Sequence, residues 1–257
     1  LDLKAPLDHP GKDGTTPLRR ALDKKNVSLV QLLLSHGADP GDTLFLALQQ
    51  ADSAVIDLLL AHGASLNRKD ANGDTPLHIA VERGDVALVE QLLESEPDLS
   101  TTGRHGQTVF ALATAAQNLP LMERFLKRGA DPNAPFAHED LQDSFKAMIP
   151  SDKFLYYLKR DLGLAPIMLA AAYGNVDMVN MLIENGARRY KTSKKYSRWP
   201  INFACDGEHI KCAQILLGRS PDSKRDVRVV ISLSEQNATL YKDGEAVLST
   251  GVSTGMR

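Results

Sequence analysis

One six-residue pattern recurs along this chain and limits its fold more than any other feature. The clearest copy is Thr75-Pro76-Leu77-His78-Ile79-Ala80. Thr16-Pro17-Leu18-Arg19-Arg20-Ala21 matches it closely. Thr43-Leu44-Phe45, Thr108-Val109-Phe110-Ala111-Leu112-Ala113, Ala165-Pro166-Ile167-Met168-Leu169-Ala170 and Trp199-Pro200-Ile201-Asn202-Phe203-Ala204 are looser copies. Successive copies begin 27, 32, 33, 57 and 34 residues apart. The period is therefore about 33, and the long interval holds one repeat plus about 24 further residues.

The unit predicts a pair of helices. Thr75 can cap a helix by accepting backbone N–H bonds. Pro76 falls in the first turn, where its missing N–H does no harm. Leu77, Ala80 and Val81 then share one face, and the small alanine lets a paired helix come close. Val86, Val89, Leu92 and Leu93 follow at helical spacing and predict the second helix. The other second helices carry Val30 to Leu34, Val55 to Leu60, Met122 to Leu126, Val179 to Ile183 and Cys212 to Leu216. Four of them end in Gly-Ala, at Gly37, Gly63, Gly129 and Gly186, where glycine supplies left-handed backbone. In the third repeat Pro97 is expected to stop the helix. One such pair cannot bury its apolar faces alone, so neighbouring pairs must stack.

This motif at this period resembles the ankyrin repeat, over about residues 14–218. The resemblance implies an all-α ankyrin-repeat solenoid of about six repeats that binds other proteins through its finger loops and inner helices. It also implies a hydrogen-bonding role for His78. The expected plan is an N-terminal lead (1–13), a repeat domain (14–218) with an insertion at 134–163, a linker (219–226) and a C-terminal β segment (227–257). Lys plus Arg is 30 and Asp plus Glu is 32, for a formal charge of −2. No global field recruits nucleic acid, so none is expected as a partner. No apolar run approaches the ~18 residues of a spanning helix. The chain starts at Leu1 rather than Met, so a processed or partial chain is expected and a signal peptide stays undecided.

The insertion predicts two short helices, one from Asp140 to Ile149 and one begun by Ser151 and running to Arg160, with Pro150 between them. Long insertions in repeat arrays often lie on the binding face. The other reading is that Phe145, Phe154, Tyr157 and Leu158 pack the insertion onto the repeats.

After Arg225 the apolar period changes to two. Val227, Val229, Ile231 and Leu233 alternate with their neighbours and predict a strand. Ala238 to Tyr241 predict a second strand, Asp243-Gly244 a hairpin turn, and Ala246 to Gly255 a third strand. Val229 to Gln236, Thr239 to Glu245 and Val252-Ser253-Thr254-Gly255 resemble the opening strands of the L,D-transpeptidase catalytic domain. That family cross-links peptidoglycan through a cysteine nucleophile. Its His and Ser-x-Gly-Cys segment would come later than Arg257, so 227–257 is expected to be the beginning of an incomplete domain. No catalytic residue is assigned within this chain.

Cys205 and Cys212 fall at positions filled by Val81 and Val89 in the third repeat, and are expected to be small core residues. Two cysteines form no disulfide framework and fix no compartment. Cys205 with His209 is too small a set for a zinc site, and neither metal nor cofactor is expected. His36, His62 and His105 are expected near turns.

The sharpest local anomaly lies between repeats five and six. Arg188, Arg189, Lys191, Lys194, Lys195 and Arg198 run without an acidic residue, interleaved with Tyr190, Tyr196 and Trp199. A basic loop with aromatics can grip an acidic protein, an anionic polymer or a glycan. All of its charges are expected to stand in water on a projecting finger. The binding residues predicted here are Arg188, Arg189, Tyr190, Lys191, Lys194, Lys195, Tyr196 and Arg198. The expected partner is another protein or anionic cell-wall material, met by a monomer at the periplasmic side or cell envelope. A stand-alone cytosolic scaffold is the alternative.

Overall fold

The structure is a computed structural model that describes residues 7–50, 52–104, 106–136, 143–149, 151–161, 163–190, 193–218, 227–232, 237–242 and 245–251. The chain divides into two compact units, Leu1–Arg104 and His105–Arg257.

The first unit contains three helix pairs: α1 (Pro17–Asp23) with α2 (Val27–Ser35), α3 (Thr43–Gln50) with α4 (Ser53–Ala61), and α5 (Pro76–Arg83) with α6 (Val86–Leu93). Within it α1 packs on α3, α3 on α5 and α2 on α4. The second unit contains α7 (Val109–Ala115) with α8 (Leu119–Lys127), α11 (Pro166–Tyr173) with α12 (Val176–Glu184), and α13 (Pro200–Asp206) with α14 (Ile210–Leu216). Between α8 and α11 come two insertion helices, α9 (Asp143–Ala147) and α10 (Asp152–Leu158). Helix α7 still packs directly on α11, and α11 on α13. The insertion therefore leaves the stack unbroken.

The caps explain where the helices begin. Thr16, Thr75 and Thr108 accept hydrogen bonds from the backbone N–H groups of Arg19, His78 and Ala111. The second helices have their own caps, which the sequence reading did not identify. Asn26, Asp52, Asp85, Asn118 and Asn175 each accept from the N–H three residues on. Gly37, Gly63, Gly129 and Gly186 close the second helices at φ between 85° and 90°, as their position predicts. The third repeat differs from expectation. Its left-handed residue is Glu96 (φ 50°), so the turn geometry is retained ahead of Pro97.

One row of alanines fixes the packing distance. Ala80, Ala113, Ala170 and Ala204 are 0% exposed and Ala21 is 1% exposed. In the second repeat the helix begins at Thr43 itself, so Ala47, also 0% exposed, joins the row one residue earlier than the copy read from Thr43 places it. A longer side chain there would push the neighbouring helix away. Thr75 Oγ1 lies 2.7 Å from His78 Nδ1, which gives His78 the hydrogen-bonding role implied by the resemblance. A Cβ on Gly103 would collide with the His78 ring, so the chain passes too close for any other residue.

The C-terminal segment forms an antiparallel meander in the order β1-β2-β3, of β1 (Val227–Ser232), β2 (Asn237–Lys242) and β3 (Glu245–Gly251). Val227 pairs with Lys242 and Lys242 with Glu245, with a register irregularity between Leu240 and Tyr241. The hairpin residues Asp243 and Gly244, and the expected end of the third strand beyond Gly251, lie outside the described residues. So do Asp140 and its neighbours at the start of the expected first insertion helix. The fold class is stacked pairs of α-helices followed by a three-stranded β segment. Among the described residues no helix is long and apolar enough to cross a membrane.

Leu77, on α5, is 2% exposed. Leu77→Ala should lower unfolding stability by about 2–5 kcal/mol, through lost burial and the cavity left behind, as read by denaturant titration.

Candidate functional site

Four of the finger loops are closed at the base by a backbone hydrogen bond. In the first unit Gly11 N–H donates to Thr15 C=O and Asp70 N–H to Asp74 C=O, both at 2.8 Å. In the second unit Phe136 N–H donates to Leu164 C=O at 2.8 Å, and Ser193 N–H to Arg198 C=O at 2.9 Å. The Phe136–Leu164 bond shows where the insertion belongs. It replaces the tip of a finger, while the base of that finger keeps its repeat geometry. The Ser193–Arg198 loop is the finger that the basic run was expected to form, here called finger six.

The insertion packs by its aromatic side chains. Phe145 and Phe154 are 0% exposed and Phe136 is 3% exposed. Phe136 lies 6.1 Å from both of the other rings, and Phe154 lies 5.3 Å from Phe203 on α13. Burying each such ring contributes roughly 1.5–3 kcal/mol. Ser151 caps α10 by accepting from Phe154 N–H at 3.2 Å, as the sequence predicts. Phe145, Phe154, Tyr157 and Leu158 are thus packing residues. Tyr156 on α10, with Lys159 and Arg160 just past its end, nevertheless stays exposed.

Finger six rests on this insertion. Asp161 is 2% exposed, and both of its carboxylate oxygens are engaged by the finger tip. Lys195 N–H donates to Oδ1 at 2.7 Å and Tyr196 N–H to Oδ2 at 2.9 Å. Charge-assisted bonds of this kind are short and strong. Lys194, Lys195 and Tyr196 therefore stand exposed on a fixed backbone. The Tyr196 ring lies 5.4 Å from that of Tyr157, which in turn lies 5.3 Å from that of Tyr156.

Arg198 corrects the expectation that every charge of the run stands in water. It is only 8% exposed. Its guanidinium sits 4.5 Å from the Tyr157 ring centroid and 5.2 Å from that of Phe203. One terminal nitrogen donates to Tyr157 Oη at 3.0 Å, and the other pairs with Asp206. Lys153 Nζ, from α10, reaches the second Asp206 oxygen at 2.8 Å. Burial pushes the Tyr157 hydroxyl pKa up, with Arg198 opposing the rise. The physical reason for the burial is positional. In the last four repeats the residue just before the cap of the first helix turns inward, as Asp74, Gln107 and Leu164 do at 1%, 1% and 0% exposure. That shared position was the available signal for Arg198. No motif announces Asp161, Asp206, Tyr156 or Arg160.

The remaining residues of the run are spread along the approach to the finger. Arg188 is exposed, and its backbone N–H donates to Asn133 Oδ1 at 2.8 Å. Arg189 is half-buried. Tyr190 is 65% exposed and edge-on to Trp199 at 6.3 Å. Lys191 lies outside the described residues. Trp199 occupies the cap position without a side-chain cap, and its N–H donates instead to Asn202 Oδ1 at 2.7 Å.

Cys205 and Cys212 are buried and unpaired with each other, as core residues should be. Burial pushes both thiol pKa values up to about 11, so both are protonated at neutral pH and poor nucleophiles. Among the described residues no three His, Cys, Asp or Glu side chains cluster as a metal site. His36 and His62 sit at exposed C-caps, as expected, and His105 lies outside the described residues.

Arg198→Ala should cost about 3–5 kcal/mol, because it leaves Asp206 with a single cation and empties the space between two rings. Lys194→Ala, at the exposed tip, should change stability by less than about 1 kcal/mol. Paired denaturation curves of the two variants check this contrast.

The repeat geometry agrees with comparisons against known families. A family model for ankyrin repeats (3 copies) matches residues 44–135 and 137–227, and one for a single ankyrin repeat matches residues 13–43. No curated protein matches the chain. The helix pairs, their caps and these matches together place the chain in the ankyrin-repeat family.

Proposed function

We propose that finger six, together with its approach from Arg188, is the partner-contacting part of this protein–protein interaction module. Ankyrin-repeat membership supplies the general role. The observation that carries the specific reading is the tip itself. Lys194, Lys195 and Tyr196 are exposed while Asp161 fixes the backbone beneath them. A preorganised loop loses little entropy when a partner binds. Arg198 supports the finger from below and is removed from the contact set.

A second reading concerns the setting. The three strands β1 to β3 fall within the segment whose sequence resembles the opening of the L,D-transpeptidase domain. On that reading the module belongs to a peptidoglycan cross-linking enzyme of the periplasm or envelope, and the basic finger also meets anionic cell-wall material. A His and a Ser-x-Gly-Cys segment within about a hundred residues after Arg257 in the gene would support it. A nearby stop codon would favour the cytosolic scaffold.

A photo-cross-linking residue at Lys194 should form a covalent adduct with a host protein, and the same residue at Glu184, exposed on α12, should not. Equal labelling at both positions, or none at Lys194, counts against the finger as contact site. In a parallel assay, changing Lys191, Lys194 and Lys195 to Glu should leave Tm nearly unchanged while abolishing salt-sensitive retention on isolated peptidoglycan. Unaltered retention contradicts the cell-wall reading.

A further inference from the structure

We infer that insertion helix α10 and finger six form one composite docking surface for an acidic segment of a partner protein. The inference rests on the reading of finger six as the contact site, and it adds both a second element and a partner class.

The two elements are physically continuous. Tyr156 on α10 stacks edge-on against Tyr157, and Tyr157 against Tyr196 of the finger. Gly163, at the exit of the insertion, passes so close to Lys194 that an added Cβ would lie 3.2 Å from its Cγ. Each outer tyrosine carries a cation. The Arg160 guanidinium lies 4.1 Å from the Tyr156 ring centroid, and Lys195 Nζ lies 5.4 Å from that of Tyr196. Both tyrosines face solvent, at 48% and 38% exposure.

The two carboxylates buried beneath this surface are already occupied. Asp161 is taken by the finger amides, and Asp206 by Arg198 and Lys153. Among the described residues Arg160, Lys194 and Lys195 have no carboxylate partner. The result is a positive, aromatic surface on a chain whose net charge is −2.

The chemistry favours an acidic peptide. Tyrosine rings offer stiff apolar area beside a hydroxyl that can donate to a carboxylate. Arg160 adds a planar fork suited to carboxylates. Nucleic acid binding of useful strength neutralises many phosphates, and this surface offers few cations.

The test uses the full chain and a fluorescent oligoglutamate peptide, with binding read by anisotropy between about 50 mM and about 300 mM salt. The wild-type protein should bind the peptide at low salt and lose it as salt rises. Tyr156→Ala with Arg160→Ala, on the insertion, should weaken binding about tenfold. Lys194→Glu with Lys195→Glu should weaken it at least as much. All four side chains are exposed, so Tm should hold in both variants, and Lys24→Glu on the first repeat serves as the control. Wild-type affinity in the Tyr156/Arg160 variant would overturn the composite surface while leaving finger six as a contact site. Absence of oligoglutamate binding, or stronger retention on single-stranded DNA or peptidoglycan, would overturn the acidic partner while the cross-linking result at Lys194 still judges the finger.

Discussion

The close approach of helices at one alanine position governs everything else in this protein. Ala47, Ala80, Ala113, Ala170 and Ala204 are sealed from solvent because a neighbouring helix lies directly over each. A single helix pair has no such neighbour and cannot bury its faces, so the repeats exist only as stacks. Threonine caps set the start of three first helices, and Asn or Asp caps set the start of five second helices. Together they keep the alanines in register along each unit.

Such a scaffold tolerates additions only where its packing is finished. The finger between Phe136 and Leu164 meets that condition, since one backbone bond closes its base and leaves the tip to vary. The insertion uses the tip between Phe136 and Leu164, and α7 meets α11 as though nothing intervened. Having left the stack, the insertion needs a core of its own. It builds one from Phe136, Phe145 and Phe154 and anchors it on Phe203 of the last repeat. The same packing brings Asp161 beneath finger six. The backbone at the tip of a basic loop is thereby fixed, and its two lysines, Lys194 and Lys195, face water.

Much of this was legible in the sequence. Thr-Pro caps, Gly-Ala closures and the period of about 33 specify the helix pairs, because capping and left-handed turns leave residue-specific marks. Strand alternation from Val227 to Ile231 was equally plain. The site was less legible. Arg198 stood in a run of cations and read as solvated, although its alignment with Asp74 and Gln107 marks an inward position. Asp161 could not be recognised at all. Its role depends on a three-dimensional approach of two loops more than thirty residues apart, and a lone aspartate carries no trace of it. Tyr156 and Tyr157 are adjacent and chemically identical, yet one is exposed and the other buried, because only the fold of α10 decides which ring meets Phe203.

The central claim is that the insertion fixes finger six through the Asp161 carboxylate. Hydrogen exchange at the Lys195 and Tyr196 amides tests it most directly, since those two groups donate to Asp161. In the wild-type protein both amides should exchange at least about tenfold more slowly than a free chain, and Asp161→Ala should release both while α13 and α14 keep their protection. Exchange of the two amides at the free-chain rate in the wild-type protein would contradict the account.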